Sequence, residues 1–251
     1  METTNKFTGK ADTYSKYRPN YPQEYMNYLI SSNQLNSNHN IADIGSGTGI
    51  FTQQLLDRNF KVFAVEPNRD MRTIAEKALS SYANFISIPG TAEHTGIPSS
   101  SVDLVTVAQA FHWFDKDRFK MECQRILKPN SNAALVWNSR DTSSLFVHEN
   151  AEICKKLCSG FKGFSGGIDA SPDIYKDFFK DGNYEYKEFR HDLEFNMEGF
   201  IGRNLSASYA PKPTDTNYNP FIEAVTELFI KYSRDNMIVI PNITRSYIGK
   251  V

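Results

Sequence analysis

The stretch Ile41-Ala42-Asp43-Ile44-Gly45-Ser46-Gly47-Thr48-Gly49 decides how the rest of the chain is read. A short apolar run carries an acid near its end, glycines follow at alternate positions, and an apolar helical pattern over 50–58 begins at once. That order is a buried strand, a tight turn and a helix. Glycine suits such a turn because the backbone bends sharply and a ligand can approach where no Cβ stands in the way. The helix N-terminus then offers unpaired N–H groups to a polar or anionic part of a ligand. The spacing is not that of a dinucleotide fingerprint, whose third glycine would fall where Ile50 stands. Nor does a lysine follow the glycines, as a phosphate-cradling loop needs.

Outward from that stretch, strands are predicted over 61–65 (ending at Glu66), 85–88, 102–108 and 133–137, with helices over 68–81 and 115–127. Val102 to Ala108 is almost continuously apolar, the mark of a strand buried on both faces. Upstream, residues 1–20 are polar and aromatic, and Tyr21-Pro22 opens a helix through Ile30. Five strands interleaved with helices predict an α/β fold, a doubly wound sheet of βαβ units. After Arg140 the rhythm changes. Helical patterns at 145–159 and 171–180 flank a glycine-rich segment, 184–195 alternates like a strand, 197–208 and 219–233 are helical, and a last strand lies within 237–251. The expectation is a helical cap between the fifth and sixth strands, with two final strands completing a seven-stranded, mostly parallel sheet.

At 251 residues the chain suits one large α/β domain, and 40% hydrophobic residues suffice for its core. Lys+Arg 28 against Asp+Glu 29 gives a net charge of −1, so no basic surplus points to nucleic acid or a membrane surface. The odd set Cys123, Cys154 and Cys158 suits a reducing compartment, and no histidine or further cysteine stands at metal-ligand spacing near them. His39, His94, His148 and His191 read as surface groups. With a polar N-terminus and no long apolar run, a soluble, cytoplasmic protein without a metal is expected.

The Asp43-x-Gly45-x-Gly47-x-Gly49 loop, with Glu66 closing the second strand, resembles motif I and its acidic partner in the class I S-adenosylmethionine (SAM)-dependent methyltransferases. Further segments carry the likeness. Glu66-Pro67-Asn68-Arg69-Asp70-Met71 is similar to that family's acid-x-Ser-x-x-Met pattern, and Gly90-Thr91-Ala92-Glu93 to its Gly-Asp-Ala-Glu. Gln109-Ala110-Phe111-His112-Trp113 resembles a run in small-molecule members akin to trans-aconitate methyltransferase, and Tyr14-x-x-x-Arg18-Pro19-x-Tyr21-Pro22 a lid that precedes the first helix. The likeness covers residues 7–141 well and the remainder loosely.

The resemblance implies a Rossmann-like fold with SAM as cofactor and S-adenosylhomocysteine as product. It divides a single domain over 1–251 into a lid and first helix (1–30), a cofactor-binding core (41–141), cap elements (142–180 and 197–233) and final strands (184–195 and 237–251). Asp43, Gly45, Ser46, Gly47 and Gly49 would form the loop around the cofactor. Glu66 would hold ribose by two charge-assisted bonds, with Pro67 beside it and Met71 packed on adenine. Thr91 stands where relatives carry an aspartate toward the adenine amino group; Ala92 would reach the ring through its N–H, and Glu93 is a ligand contact or a solvated loop acid. Gln109 would lie near the methionine end, with Arg18 near its carboxylate.

His112 and Tyr14 are the catalytic candidates. His112 is a base, a group that orients substrate or a packing histidine, since a carboxylate acceptor needs no base. Tyr17, Trp113, Arg140 and Tyr209 are substrate-binding candidates. Tyr17 either touches ligand or anchors the arm, and Arg140 either pairs with an acidic substrate or makes an ion pair with Asp141. The expected activity is methyl transfer to a small molecule, at an oxygen of a carboxylate or hydroxyl. A methyltransferase for RNA or protein, and a non-catalytic SAM-binding protein, are the alternatives. Oligomeric state is not legible.

Overall fold

The computed structural model describes residues 17–164 and 173–251. Its first half alternates as the sequence predicts. Helix α1 (Gln23–Ser32) precedes β1 (Asn40–Ile44), α2 (Ile50–Leu56), β2 (Lys61–Val65), α3 (Arg69–Ala78), β3 (Phe85–Ile88), β4 (Val102–Ala108), α4 (Lys116–Ile126) and β5 (Leu127–Arg140). Two of these helices begin on side chains that accept from their own first turn. Asn68 takes the Met71 N–H at 3.0 Å and Asp115 the Arg118 N–H at 3.2 Å, which satisfies donors no helical carbonyl can reach.

The second half comprises α5 (Leu145–Leu157), α6 (Asp173–Phe178), β6 (Glu185–Arg190), β7 (Leu193–Phe195), α7 (Met197–Leu205), α8 (Tyr218–Tyr232), β8 (Ile238–Ile240) and β9 (Asn242–Gly249). The main sheet has seven strands in the order β3-β2-β1-β4-β5-β9-β6. Strands β1 to β5 pair in parallel, and β9 runs antiparallel to both β5 and β6. The strand order reverses between β1 and β4, the switch point at which such sheets open a crevice at their carboxyl ends.

Each face of the sheet has its own core. Ala42, Ile44, Val105, Val107 and Trp137 pack with Phe119 of α4 and Phe178 of α6 on one side. Ile41, Val62 and Leu104 pack with Leu29 of α1 and Leu55 of α2 on the other. Burial on both faces is why these strands are apolar runs rather than alternating ones. A third core, with Phe146, Phe200, Phe221 and Leu228, belongs to α5, α7 and α8 with β7 and β8.

Three details depart from the sequence reading. The run 184–195 is two strands, because the chain turns at His191-Asp192, where Asp192 takes the Arg190 guanidinium at 2.9 Å. Its second piece, β7, pairs with β8 in a separate two-stranded sheet. The cap is also split: α5 and α6 lie between the fifth and sixth strands, whereas α7 and α8 sit in the excursion between β6 and β9. Finally, β5 starts earlier than the predicted 133, running back through exposed Pro129 past an irregularity in its pairing with β4. Such an irregularity accommodates a residue without an N–H. Among the described residues no helix is long and apolar enough to cross a membrane.

Candidate active site at the carboxyl ends of the strands

The loop after β1 is built against its neighbours. Gly45 and Ser46 donate their N–H groups to the Val65 carbonyl of β2, at 2.8 and 3.1 Å. Gly45 has φ +70°, and a Cβ there would meet the Ala110 Cβ at 2.6 Å, so the turn lies flat against the exit of β4. Gly49, at φ +85°, caps α2, and a Cβ there would come within 2.8 Å of Leu79. Both positions require glycine for conformation and for space.

Two acids stand behind and beside this loop. Asp43 is fully buried and accepts from Thr52 Oγ1 at 2.6 Å and Thr106 Oγ1 at 3.1 Å, tying β1 to α2 and β4. Burial pushes its carboxyl up to about 6, against the pull of the two threonine hydroxyls, and the charge of Glu66 adds to the rise. The structure thus directs Asp43 toward the framework of the loop. Glu66 is also buried, with Oε2 accepting the Gly47 N–H at 2.9 Å and Oε1 the Asn68 N–H at 2.7 Å. Burial raises its carboxyl above the ordinary range, and those two N–H groups oppose the rise. One carboxylate therefore joins the glycine loop to the start of α3. A carboxylate retains further lone pairs for a ligand's hydroxyls.

Met71 is buried under the loop, where a Cβ on Gly47 would lie 3.9 Å from its methyl carbon, and Pro67 is exposed. Thr91 and His94 close a tight turn after β3, with Thr91 N–H to His94 O at 3.1 Å, and Ala92 is buried beneath it. Glu93 accepts the Asp115 N–H at 3.0 Å, holding this turn against the start of α4. Gln109 leaves β4 with φ +61° and donates Nε2 to the Asn138 carbonyl at 2.9 Å. Phe111–Trp113 form one turn of 3₁₀ helix in which the His112 and Trp113 rings lie 4.4 Å apart.

Arg18, Gly45, Ser46, Gly47, Gln109 and Arg203 converge on a cavity of about 50 Å³. Ser46 Oγ and Thr48 Oγ1, both in its wall, are buried without a hydrogen-bond partner among the described residues. Buried hydroxyls normally have partners, so this wall is shaped for a polar ligand. A larger cavity, about 470 Å³, shares only Arg18 and Pro19 with the first and lies against β7 and α7. It holds none of the main sheet's strand-end groups, whereas Gln109 and Asn138 line the smaller one.

Arg140 ends β5 in the cap's direction. It is buried, its guanidinium stacks 3.8 Å from the centre of the Phe164 ring, and it makes no ion pair with Asp141, which instead takes Ser143. Phe164 leads through Phe161 to Tyr209, with ring centres 5.3 and 4.9 Å apart. Burial raises the Tyr209 phenol, while the positive charges of Arg140, Arg203 and Arg18 draw it down, so three guanidiniums share this region. Tyr17 OH donates to Glu198 of α7 at 2.9 Å, an anchor between arm and cap. Tyr14 lies outside the described residues. Asn138 and Arg203, neither among the candidates named from sequence, line the small cavity, and Gln54 fastens the segment above it.

Residues 42–135 match the model of the methyltransferase domain family. Similar over part of the length are the uncharacterized methyltransferase Rv3342 of Mycobacterium tuberculosis, 36% identical across 59% of this chain and 58% of that protein, and the uncharacterized methyltransferase C25B8.09 of Schizosaccharomyces pombe, 32% identical across 59% and 58%. The chain thus matches less than two thirds of the length of these relatives. A solved structure of a candidate type II methyltransferase from Anaeromyxobacter dehalogenans superposes with TM-score 0.62 at 20% identity, over 93% of this chain and 98% of that one, which shows the shared Rossmann-like fold.

Proposed function

We propose, from the methyltransferase domain at residues 42–135, that this chain is a SAM-dependent methyltransferase acting on a small molecule, at an oxygen of a carboxylate or hydroxyl. The observation that carries this reading is Glu66, a buried carboxylate clasped by the Gly47 and Asn68 N–H groups beside the unpartnered hydroxyls of Ser46 and Thr48. Bound SAM would supply a methyl group on a sulfonium centre. Every other contribution comes from the chain.

Glu66, fixed by two N–H donors, would accept from a ribose diol, and Met71 with the Ala92 N–H would meet an adenine. Ser46, Thr48, Gln109 and Arg18, which line one cavity, would hold the amino-acid end, where the guanidinium suits a carboxylate. Trp113 and His112, whose rings lie against each other, would exclude water and favour a nearby cation. A carboxylate acceptor attacks unaided; for a hydroxyl acceptor His112 or Tyr14 would take the proton. Arg140, buried against Phe164 and without an ion pair among the described residues, is suited to hold an acidic acceptor in line. The odd cysteine count of three accords with a cytoplasmic setting. Incubation with methyl-labelled SAM and separate metabolite, RNA and protein fractions tests the reading. Label is expected in acidic metabolites; label only in RNA or protein, or in none, would contradict it.

A further inference from the structure

The segment Tyr17–Pro22 crosses from the cap to the cofactor half, and Tyr17, Arg18, Asn20 and Tyr21 are each fastened at one side or the other. On the cap side, Tyr17 bonds Glu198 and its ring lies so close to Gly202 that a Cβ there would come within 2.4 Å of it. Arg18 Nη2 donates to the Ser206 carbonyl at 3.3 Å. On the other side, Gln54 of α2 grips both edges of one residue: its Oε1 accepts the Tyr21 N–H at 2.9 Å and its Nε2 donates to the Tyr21 carbonyl at 2.8 Å. The Tyr21 ring is buried edge-on to Phe51, 5.0 Å between centres. Asn138 Nδ2 donates to the Asn20 carbonyl at 3.2 Å, while Asn138 Oδ1 accepts from Thr244 at 2.5 Å and its own carbonyl takes Gln109.

A side-chain amide paired on both edges with a main-chain residue fixes it in translation and rotation, as a neighbouring strand would. Arg18 is the cation this segment carries into the wall of the small cavity, and the chain between it and the clamped residues is too short to place it elsewhere without releasing them. We propose that Gln54 and Asn138 are positioning residues for the charged amino-acid end of the cofactor, acting through Arg18. This rests on the reading of that cavity as the SAM site.

The test is calorimetric binding to the full chain with two probes, S-adenosylhomocysteine and 5′-methylthioadenosine, which lacks the amino-acid end. Gln54→Ala is expected to weaken the first about tenfold and the second less than twofold. In an Arg18→Ala background, Gln54→Ala should add almost nothing, since its effect is already lost. Gln54→Glu is nearly isosteric but sets an oxygen against the Tyr21 carbonyl. It should bind S-adenosylhomocysteine as poorly as the alanine variant at pH 8, and recover toward wild type at pH 5 once the protonated carboxyl donates. Asn138→Ala should show the same preference between probes. Equal losses for both probes, or additivity with Arg18→Ala, would overturn the positioning role and leave the cofactor site standing. Wild-type protein that binds neither probe would overturn both.

Discussion

The half of the molecule that ends at β5 and the half that follows it are organised differently. In the first, each strand pairs with one reached through a single crossover, and the polar groups at the strand ends are spent on one another: Asp43 on Thr52 and Thr106, Glu66 on Gly47 and Asn68, Glu93 on Asp115. In the second, β7 waits for β8 across two helices, and the cap core is apolar and aromatic. One half is a cross-braced frame around the proposed cofactor site. The other is a packed layer whose inner wall, around Arg140 and Tyr209, can vary without disturbing the frame.

The sharpest way to break that contrast is to weaken the cap alone. Phe200 is fully buried in the cap core, and Phe200→Ala should cost about 3–5 kcal/mol of unfolding free energy. At a temperature where the variant stays folded, calorimetry should still find its affinity for S-adenosylhomocysteine within about threefold of wild type. Loss of binding in step with stability would mean that the halves are one cooperative frame.

Next comes the buried charge behind the glycine loop. Because the folded Asp43 carboxyl titrates near 6 and an unfolded one near 3.8, the folded form holds its proton longer. Its contribution is therefore favourable at low pH and is lost as pH rises from about 4 through 6. Asp43→Asn removes that loss, so chemical denaturation should find the variant gaining on wild type by about 2 kcal/mol between pH 4 and 7. A constant difference across that range would place the ionised carboxylate in a more polar setting than its burial indicates.

The smallest effect concerns the variable wall. Arg140→Ala, with Arg140→Lys beside it, should raise the KM for an acidic acceptor about tenfold, near 1.4 kcal/mol, while affinity for S-adenosylhomocysteine stays unchanged. Lysine should not restore the acceptor KM, because a point charge does not reproduce a planar fork stacked on Phe164. An unchanged acceptor KM would leave Arg140 as a packing group of the cap.

The same contrast explains what could be read without coordinates. The glycine loop, Glu66 and the five parallel strands were legible because short connections and local periodicity carry the information. The split of 184–195 and the excursion between β6 and β9 were not, because they depend on partners far along the chain. Asn138 shows why the site itself was only partly legible. Its amide meets Asn20 and Thr244, 118 and 106 positions away, and nothing local marks it as more than a polar strand end. Gln54 on a helix face likewise reads as a solvated amide until the Tyr21 backbone is laid against it. Main-chain recognition leaves no residue-type signal at the recognised position.

Titration of wild type and Glu66→Ala with S-adenosylhomocysteine is the most direct measurement. Loss of the carboxylate should weaken binding ten- to a hundredfold, about 1.5–3 kcal/mol, with both proteins folded. Equal affinity in the two, or no heat with either, would contradict the claim that the buried acid beside the glycine loop holds an adenosyl ligand.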